Sequence, residues 1–315
     1  MNKFLFVSLA LGLSAISTIV FSGLSHKIDL KSTPTATKHP DFDRYWYQGK
    51  AEISSYTLEQ SRYGEVHPGD AVLVFVTEDF SKKKQVKLDQ PERDSKDALK
   101  VLKLNYIKKF TTGIYDYSIL NSVFTPINYQ QTPNTPKTTT SSQEWCGHTF
   151  TQLNLENQRY RVQAYSYFES EGDQNYYLEK TWLEDEIWNL IRIAPDKLPQ
   201  GKFKIIPSTI YARLAHKKLE LQSVEGILGI SEADPQIQTY ALVYPQFKRE
   251  LKIHFEKKFP HKILSWEESC PSPAWNTLAN ILTTRATLKK TILLDYWNKH
   301  NLEDTKLRED LGLKN

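Results

Sequence analysis

The chain has 315 residues, of which 39% are hydrophobic and 12% aromatic, enough apolar material for a real core and too much for a disordered chain. The 41 basic and 37 acidic residues leave a formal net charge of only +4, a balance that argues against a nucleic-acid binder dominated by phosphate contacts.

At the N-terminus, Met1-Asn2-Lys3 supplies a short positive start and Phe4 to Phe21 is an uncharged apolar run, the pattern of a secretory signal. Gly23 and Ser25 suit the positions three and one before a cleavage point, which would leave a mature start near His26. Residues 1–25 are therefore expected to be a signal peptide or, if uncleaved, an anchor, the one membrane contact expected. The first cysteine is Cys146, too far from the apolar run for a lipoprotein signal. Residues 26–40, with the Thr- and Pro-containing KSTPTATKHP, read as a flexible linker, and residues 41–315 as a single exported β-rich domain.

Within that domain the periodicity is mostly two. Tyr45, Tyr47, Gly49, Ala51 and Ile53 alternate with polar neighbours, which predicts a strand with one apolar and one largely polar face. His67-Pro68-Gly69-Asp70 reads as a turn, AVLVFVTEDF as a strand, and Lys82 to Lys84 as a solvated edge or turn. LKVLKLNYIKKF predicts another strand, QTPNTPKTTT (131–140) a surface loop, and SSQEWCGHTFTQLN a strand in which Cys146 and His148 share one face, Trp145 and Gly147 the other. RYRVQAYSYFE continues the alternation up to a turn at Glu171-Gly172-Asp173.

TWLEDEIWNLIRIAP breaks the pattern. Leu183, Ile187, Leu190, Ile191 and Ala194 fall on one helical face, Thr181 and Glu184 form a capping box, and Pro195 ends the segment, predicting a helix that plugs the concave side of the sheet. After a turn at Leu198 to Gly201, FKRELKIHFEKKF alternates Leu251, Ile253, Phe255 and Phe259 with polar residues. TLKKTILLDYW fits a strand or a helix, and LEDTKLREDLGLKN a short surface helix. Sequential strands with short turns pair antiparallel, so the expected fold is mainly β (α+β): a large curved, incompletely closed antiparallel sheet with a covering helix.

Cys146 beside His148 raises the question of a catalytic thiol, which would need an accessible thiolate and a positioned base. The same residue could form a disulfide with Cys270, the only other cysteine, or both could be buried free thiols. His67, His148, His216, His254 and His261 show no metal-ligand spacing, and the acidic stretch Glu169 to Asp173 lacks the EF-hand order, so no metal is expected. Glu184, Asp185 and Glu186 occupy a first helical turn, where the helix dipole explains acidic residues without acid-base chemistry. No GxSxG, phosphate loop or dinucleotide fingerprint occurs, and no cofactor is expected. The 17 Tyr, 14 Phe and 7 Trp, many on strands, could fill a core or line a pocket for an apolar ligand.

The strings GKAEISSYTLEQSRYGE, FVTEDFSKKKQVKL, FTTGIYDYSILNSVFTP, TTSSQEWCGHTFTQLN and LEDEIWNLIRI resemble an exported bacterial family whose members often carry the label septum formation inhibitor Maf. The SPRR motif of true Maf nucleotide pyrophosphatases is not found here, so the resemblance implies export and no particular activity. The strand order is also similar to that of periplasmic carriers of lipoprotein or lipid. The sequence thus predicts a non-enzymatic exported protein of the periplasm or cell envelope whose partners are an apolar small molecule or lipid, or an envelope protein, and not nucleic acid. The alternatives are an envelope hydrolase or thiol enzyme centred on Cys146, and a structural or interaction protein of the envelope.

Overall fold

The computed structural model describes residues 40–274 and 277–313; the leader and the stretch 26–39 of the linker lie outside them. The chain divides into two units, Met1–Ala36 and Thr37–Asn315, and all the described residues belong to the second.

The fold starts with a single helical turn, α1 (Phe42–Trp46), where a strand is predicted. Phe42 and Trp46 are four residues apart, so one turn of helix buries both against the core. Gly49, at φ +72°, then releases the chain into β1 (Ala51–Arg62).

β1 opens a long meander: β2 (Glu65–Ser81), β3 (Ala98–Thr112), β4 (Tyr115–Pro126), β5 (Lys137–Glu144), β6 (Gly147–Glu156), β7 (Arg159–Tyr165) and β8 (Gln174–Glu179). The two-residue β1–β2 turn is Tyr63-Gly64, both at positive φ as a type I′ hairpin requires, and not the predicted His67 to Asp70. Those residues lie inside β2. Pro68 tolerates the strand because β3 pairs with β2 only from Gly69 onward, so its missing N–H deprives no neighbour. Gly69 is required there, since a Cβ would sit 2.4 Å from the Lys109 carbonyl oxygen.

The predicted loop 131–140 is also shorter than expected. Lys137 to Thr140 belong to β5, and Thr138 and Thr140 turn inward and are buried among polar partners, which a Thr-rich string does not reveal.

The second half runs β9 (Trp182–Leu183), α2 (Glu184–Ile193), β10 (Gly201–Ile206), α3 (Thr209–Leu214), β11 (Gln222–Ile230), β12 (Ile237–Tyr244), β13 (Arg249–Glu256), β14 (Ile263–Ala274) and β15 (Thr277–Leu294). The ambiguous TLKKTILL is thus strand, and the C-terminus forms a strap (295–313) ending in α4 (Lys306–Asp310). The two halves join through antiparallel pairing of β1 with β15, giving one sheet of 15 strands in which only β9 and β10 pair in parallel. Its edges, β8 and β9, are separated in the chain by Lys180 and Thr181 alone. The sheet therefore curves back on itself and brings its edges together without pairing them, the curved, incompletely closed form expected.

Helix α2 fills the concave side. It starts after Leu183 and not at the predicted Thr181 box: Thr181 Oγ1 donates to the Lys204 carbonyl at 2.6 Å, and Glu186 Oε1 accepts from the Leu183 N–H at 3.1 Å. Every residue from Glu184 to Arg192 is buried, so the amphipathic helix is enclosed on its polar face as well as its apolar one. Around it, Tyr56, Tyr106, Trp188 and Trp266 interlock with ring centroids 4.7–5.5 Å apart. The aromatic richness of the inner face is packed core at this level.

The central strands also bury their outer face. Ala51, Ile53, Val74 and Val76 pack with Leu311, Ile292, Leu294 and Tyr296 beneath the strap. The predicted polar outer face thus fails at β1 and β2, because the C-terminal segment supplies a second apolar layer.

Candidate functional site

The structure separates the residues singled out by sequence. Trp145 and Cys146 form the tip of the β5–β6 hairpin and do not continue a strand, since Glu144 pairs directly with Gly147. Cys146 is exposed, its N–H donates to Glu144 Oε2 at 2.6 Å, and the neighbouring carboxylate pushes its thiol above the ordinary range. His148 is the second residue of β6 and is exposed. A raised thiol pKa beside a carboxylate is the reverse of what a cysteine nucleophile needs.

The expected disulfide is corrected as well. Cys146 and Cys270 are both free. Cys270 lies on β14, separated from β5 by β4, β3, β2, β1 and β15 in the sheet order, so neighbouring strands do not bring the two thiols within bonding reach. Burial pushes the Cys270 thiol up to about 12. Among the described residues no group of three His, Cys, Asp or Glu side chains is placed to hold a metal ion.

The acidic run on α2 is not a solvated first turn. Glu184 receives both Arg249 Nη atoms at 2.5 and 2.6 Å and the Tyr244 hydroxyl at 2.5 Å. Asp185 accepts from Thr209 Oγ1 at 2.7 Å and from Asn121 Nδ2 at 3.3 Å. Glu186 accepts from the Thr135 N–H at 2.8 Å and from Tyr129 at 3.2 Å. Near the other end of the helix, Arg192 makes a two-pronged pair with Glu52 at 2.6 Å for each arm. These groups tie α2 to different walls of the sheet, which accounts for their burial as architecture. The sequence did not show this, because nothing local distinguishes a buried Glu-Asp-Glu from a helix-dipole cluster.

A wide concave surface lies outside the sheet, where the strap crosses the central strands. On one side of Tyr296 a cavity of about 600 Å³ has Trp46, Tyr47, Val76, Leu88, Pro91 and Trp297 as its apolar wall. On the other side a cavity of about 550 Å³ is floored by Ile53, Val72 and Ile107 and roofed by Leu307, Leu311 and Leu313. Tyr296 lines both, so the two cavities adjoin at its side chain and are together termed the strap groove. Each volume falls in the range of about 300–1,000 Å³ typical of ligand sites.

The rim of the groove is mostly basic. Lys50, Lys87, Lys100 and Lys103 border the first cavity against Glu78 and Asp79, and Lys109, Lys299 and Arg308 border the second against Asp70 and Asp304. Lys103 pairs with Glu78 at 2.6 Å and Lys100 with Asp79 at 2.7 Å. The strap is pinned by the Ser55 hydroxyl, which donates to the Leu311 carbonyl, and by Lys289, which reaches the Gly312 carbonyl at 3.1 Å and Asp70 at 2.5 Å. Trp297 stays 47% exposed, with its ring edge-on to Tyr296 at 5.5 Å. Sequence reasoning missed these residues; the one available signal was the aromatic pair in LLDYW directly after an apolar strand.

In comparisons with known proteins, no family model, no curated protein and no solved structure matches this chain.

Proposed function

We propose that this is an exported, non-enzymatic protein of the cell envelope that binds an anionic amphiphile, an acyl chain with a negatively charged head, in the groove under the C-terminal strap. The observation that carries this reading is a pair of cavities with apolar walls that adjoin at Tyr296, with more cations than carboxylates at their rims. An acyl chain laid on Val72, Val76 and Ile107 would remove apolar surface from water at roughly 25 cal/mol per Å². Lysines at the rim can meet the head while their stems cover the chain. The site differs from that of a carrier that encloses its ligand inside the sheet, where α2 and the aromatic core fill the space. The leader-like N-terminus and the resemblance to an exported, Maf-labelled family support the envelope half of the proposal.

Titration of the purified chain with a fluorescent fatty acid tests it. Saturable binding is expected, weakened at least tenfold in a Tyr296→Ala, Trp297→Ala double variant that keeps the wild-type thermal midpoint within a few degrees. Absence of saturable binding, or binding that the double variant leaves unchanged, defeats the proposal.

A further inference from the structure

The edge of the sheet formed by β6, β7 and β8 carries a second cavity, of about 180 Å³, closed on its far side by α3. Its wall is mixed, with Val162, Ala164, Ala212 and Leu219 on the apolar side. Its lining includes Thr149, Ser170, Gln174, Arg213, Lys217 and Lys218.

A carboxylate hub holds the wall in place. Glu171 accepts from Arg213 Nη1 at 2.9 Å, from Ser166 Oγ at 2.5 Å and from His216 Nδ1 at 2.7 Å. Burial by itself would raise the Glu171 carboxyl, but the Ser166 and His216 hydrogen bonds and the Arg213 charge outweigh it and hold the group low. His216 Nε2 faces Arg62 Nη2 at 3.3 Å, and a guanidinium can only donate, so Nε2 accepts and Nδ1 carries the proton toward Glu171. His216 sits at φ +50°, in the left-handed region that His visits more readily than most residues.

Two features point to the ligand. Gln174 Oε1 is buried without a partner, although its Nε2 donates to the Glu171 carbonyl at 2.7 Å, so the cavity wall presents an unused acceptor. Beside it stand flat aromatic faces. Tyr165 lines the cavity and is half-exposed, and Tyr167 is 67% exposed. The Tyr167 ring lies so close over the hairpin that a Cβ on Gly147 would meet it at 2.7 Å, and Trp145, 68% exposed, stands at the tip.

Hydroxyl and amide groups that both donate and accept, aromatic faces, and three basic residues on the wall, Arg213 paired with Glu171 and Lys217 and Lys218 exposed, match the parts of an acidic sugar: ring hydroxyls, an apolar ring face and a carboxylate. We propose that this cavity binds one ring of a carboxylate-bearing glycan, with the carboxylate toward Arg213, Lys217 and Lys218 and the neighbouring rings laid along Tyr165 and Tyr167. The inference is independent of the strap groove, because its residues lie on other strands and its ligand has no acyl chain.

The test is calorimetric titration of the full chain with oligogalacturonate, with neutral maltooligosaccharide and dextran sulfate as controls. Saturable binding of oligogalacturonate is expected, with maltooligosaccharide at least tenfold weaker. A Lys217→Glu, Lys218→Glu variant, changed only at exposed positions, should lose tenfold or more, and Tyr165→Ala several-fold. No binding of oligogalacturonate, equal binding of the neutral sugar, dextran sulfate binding as tightly, or indifference to both variants each overturns the proposal.

Discussion

On the inner face, α2 meets β1, β3, β4 and β13 through charged and polar side chains that each have a partner on a different wall. On the outer face, the strap meets β1, β2 and β15 through scattered aliphatic contacts and a few hydrogen bonds at its end, and two cavities open beside it. Both layers cover the same central strands. A buried polar network fixes one geometry because any displacement strands a charge, whereas an apolar contact can slide and re-form around a guest. The inner layer therefore fixes the curvature of the sheet, and the outer layer is the one whose contacts the proposed ligand would replace.

The sharpest way to break this contrast is Arg192→Met. It leaves Glu52 fully buried beside Tyr45 without its cation, and loss of one partner from such a pair costs about 3–5 kcal/mol. The guanidinium also packs over the rings of Trp46 and Phe75 at 5.1 and 4.7 Å, contacts that Met only partly replaces. Denaturant unfolding should show that loss, with the Glu52→Leu, Arg192→Met double variant recovering most of it. A single variant within about 1 kcal/mol of wild type would mean that the inner network does not hold the fold.

The pH dependence of stability sharpens the same point with a smaller effect. Burial pushes the Glu186 carboxyl up from its ordinary 4.5 to about 7, against the hydrogen bonds donated by Leu183 and Thr135. The folded state then binds this proton more tightly than the unfolded state. Its contribution is fully present below the unfolded value of 4.5 and is lost as pH rises toward about 7, a change of about 3 kcal/mol at most. Glu52 and Glu268, whose carboxyls are held low by Arg192 and Arg249 despite burial, act in the opposite sense and lose their contribution only as pH falls through the acid range. Comparing wild type with Glu186→Gln at about pH 5 and about pH 8 isolates the effect: wild type should weaken toward pH 8 relative to the variant. Parallel pH profiles for the two proteins would remove Glu186 from the account.

How far the sequence foretold this architecture differs between the layers for a physical reason. The meander, the curved sheet and the plug helix follow from period-two alternation and one helical segment, patterns that are local. The polar interior does not follow, because Glu184 or Thr138 looks the same in a sequence whether its partner is water or Arg249 or Asp185. Turn chemistry misled at His67 to Asp70, since a Pro-Gly pair is also tolerated where a strand outruns its neighbour. Cys146 and His148 drew attention as chemistry, yet the hairpin places Cys146 at its tip, and the neighbouring Gly147 has a steric task under Tyr167. The strap groove was hidden because its walls come from chain segments some 200 residues apart, such as Val76 and Tyr296, which meet only once β1 pairs with β15.

The smallest expected effect is also the most specific to the outer layer. Leu311 is buried between the strap and Ile53, so Leu311→Ala removes apolar contact worth about 2 kcal/mol at the low end for buried leucine. If the strap is a separable layer, this loss is local: its segment opens more often while the sheet and α2 keep their full protection. Hydrogen exchange should then quicken across residues 296–313 with the amides of α2 unchanged, and the global unfolding midpoint should move little. The same variant enlarges the groove beneath the strap, so fatty-acid affinity should change by several-fold while the sugar site, on β6 to β8, should not respond. Uniformly faster exchange through both layers would show that strap and core unfold as one unit, and the contrast between a shape-fixing inner layer and an exchangeable outer one would not hold.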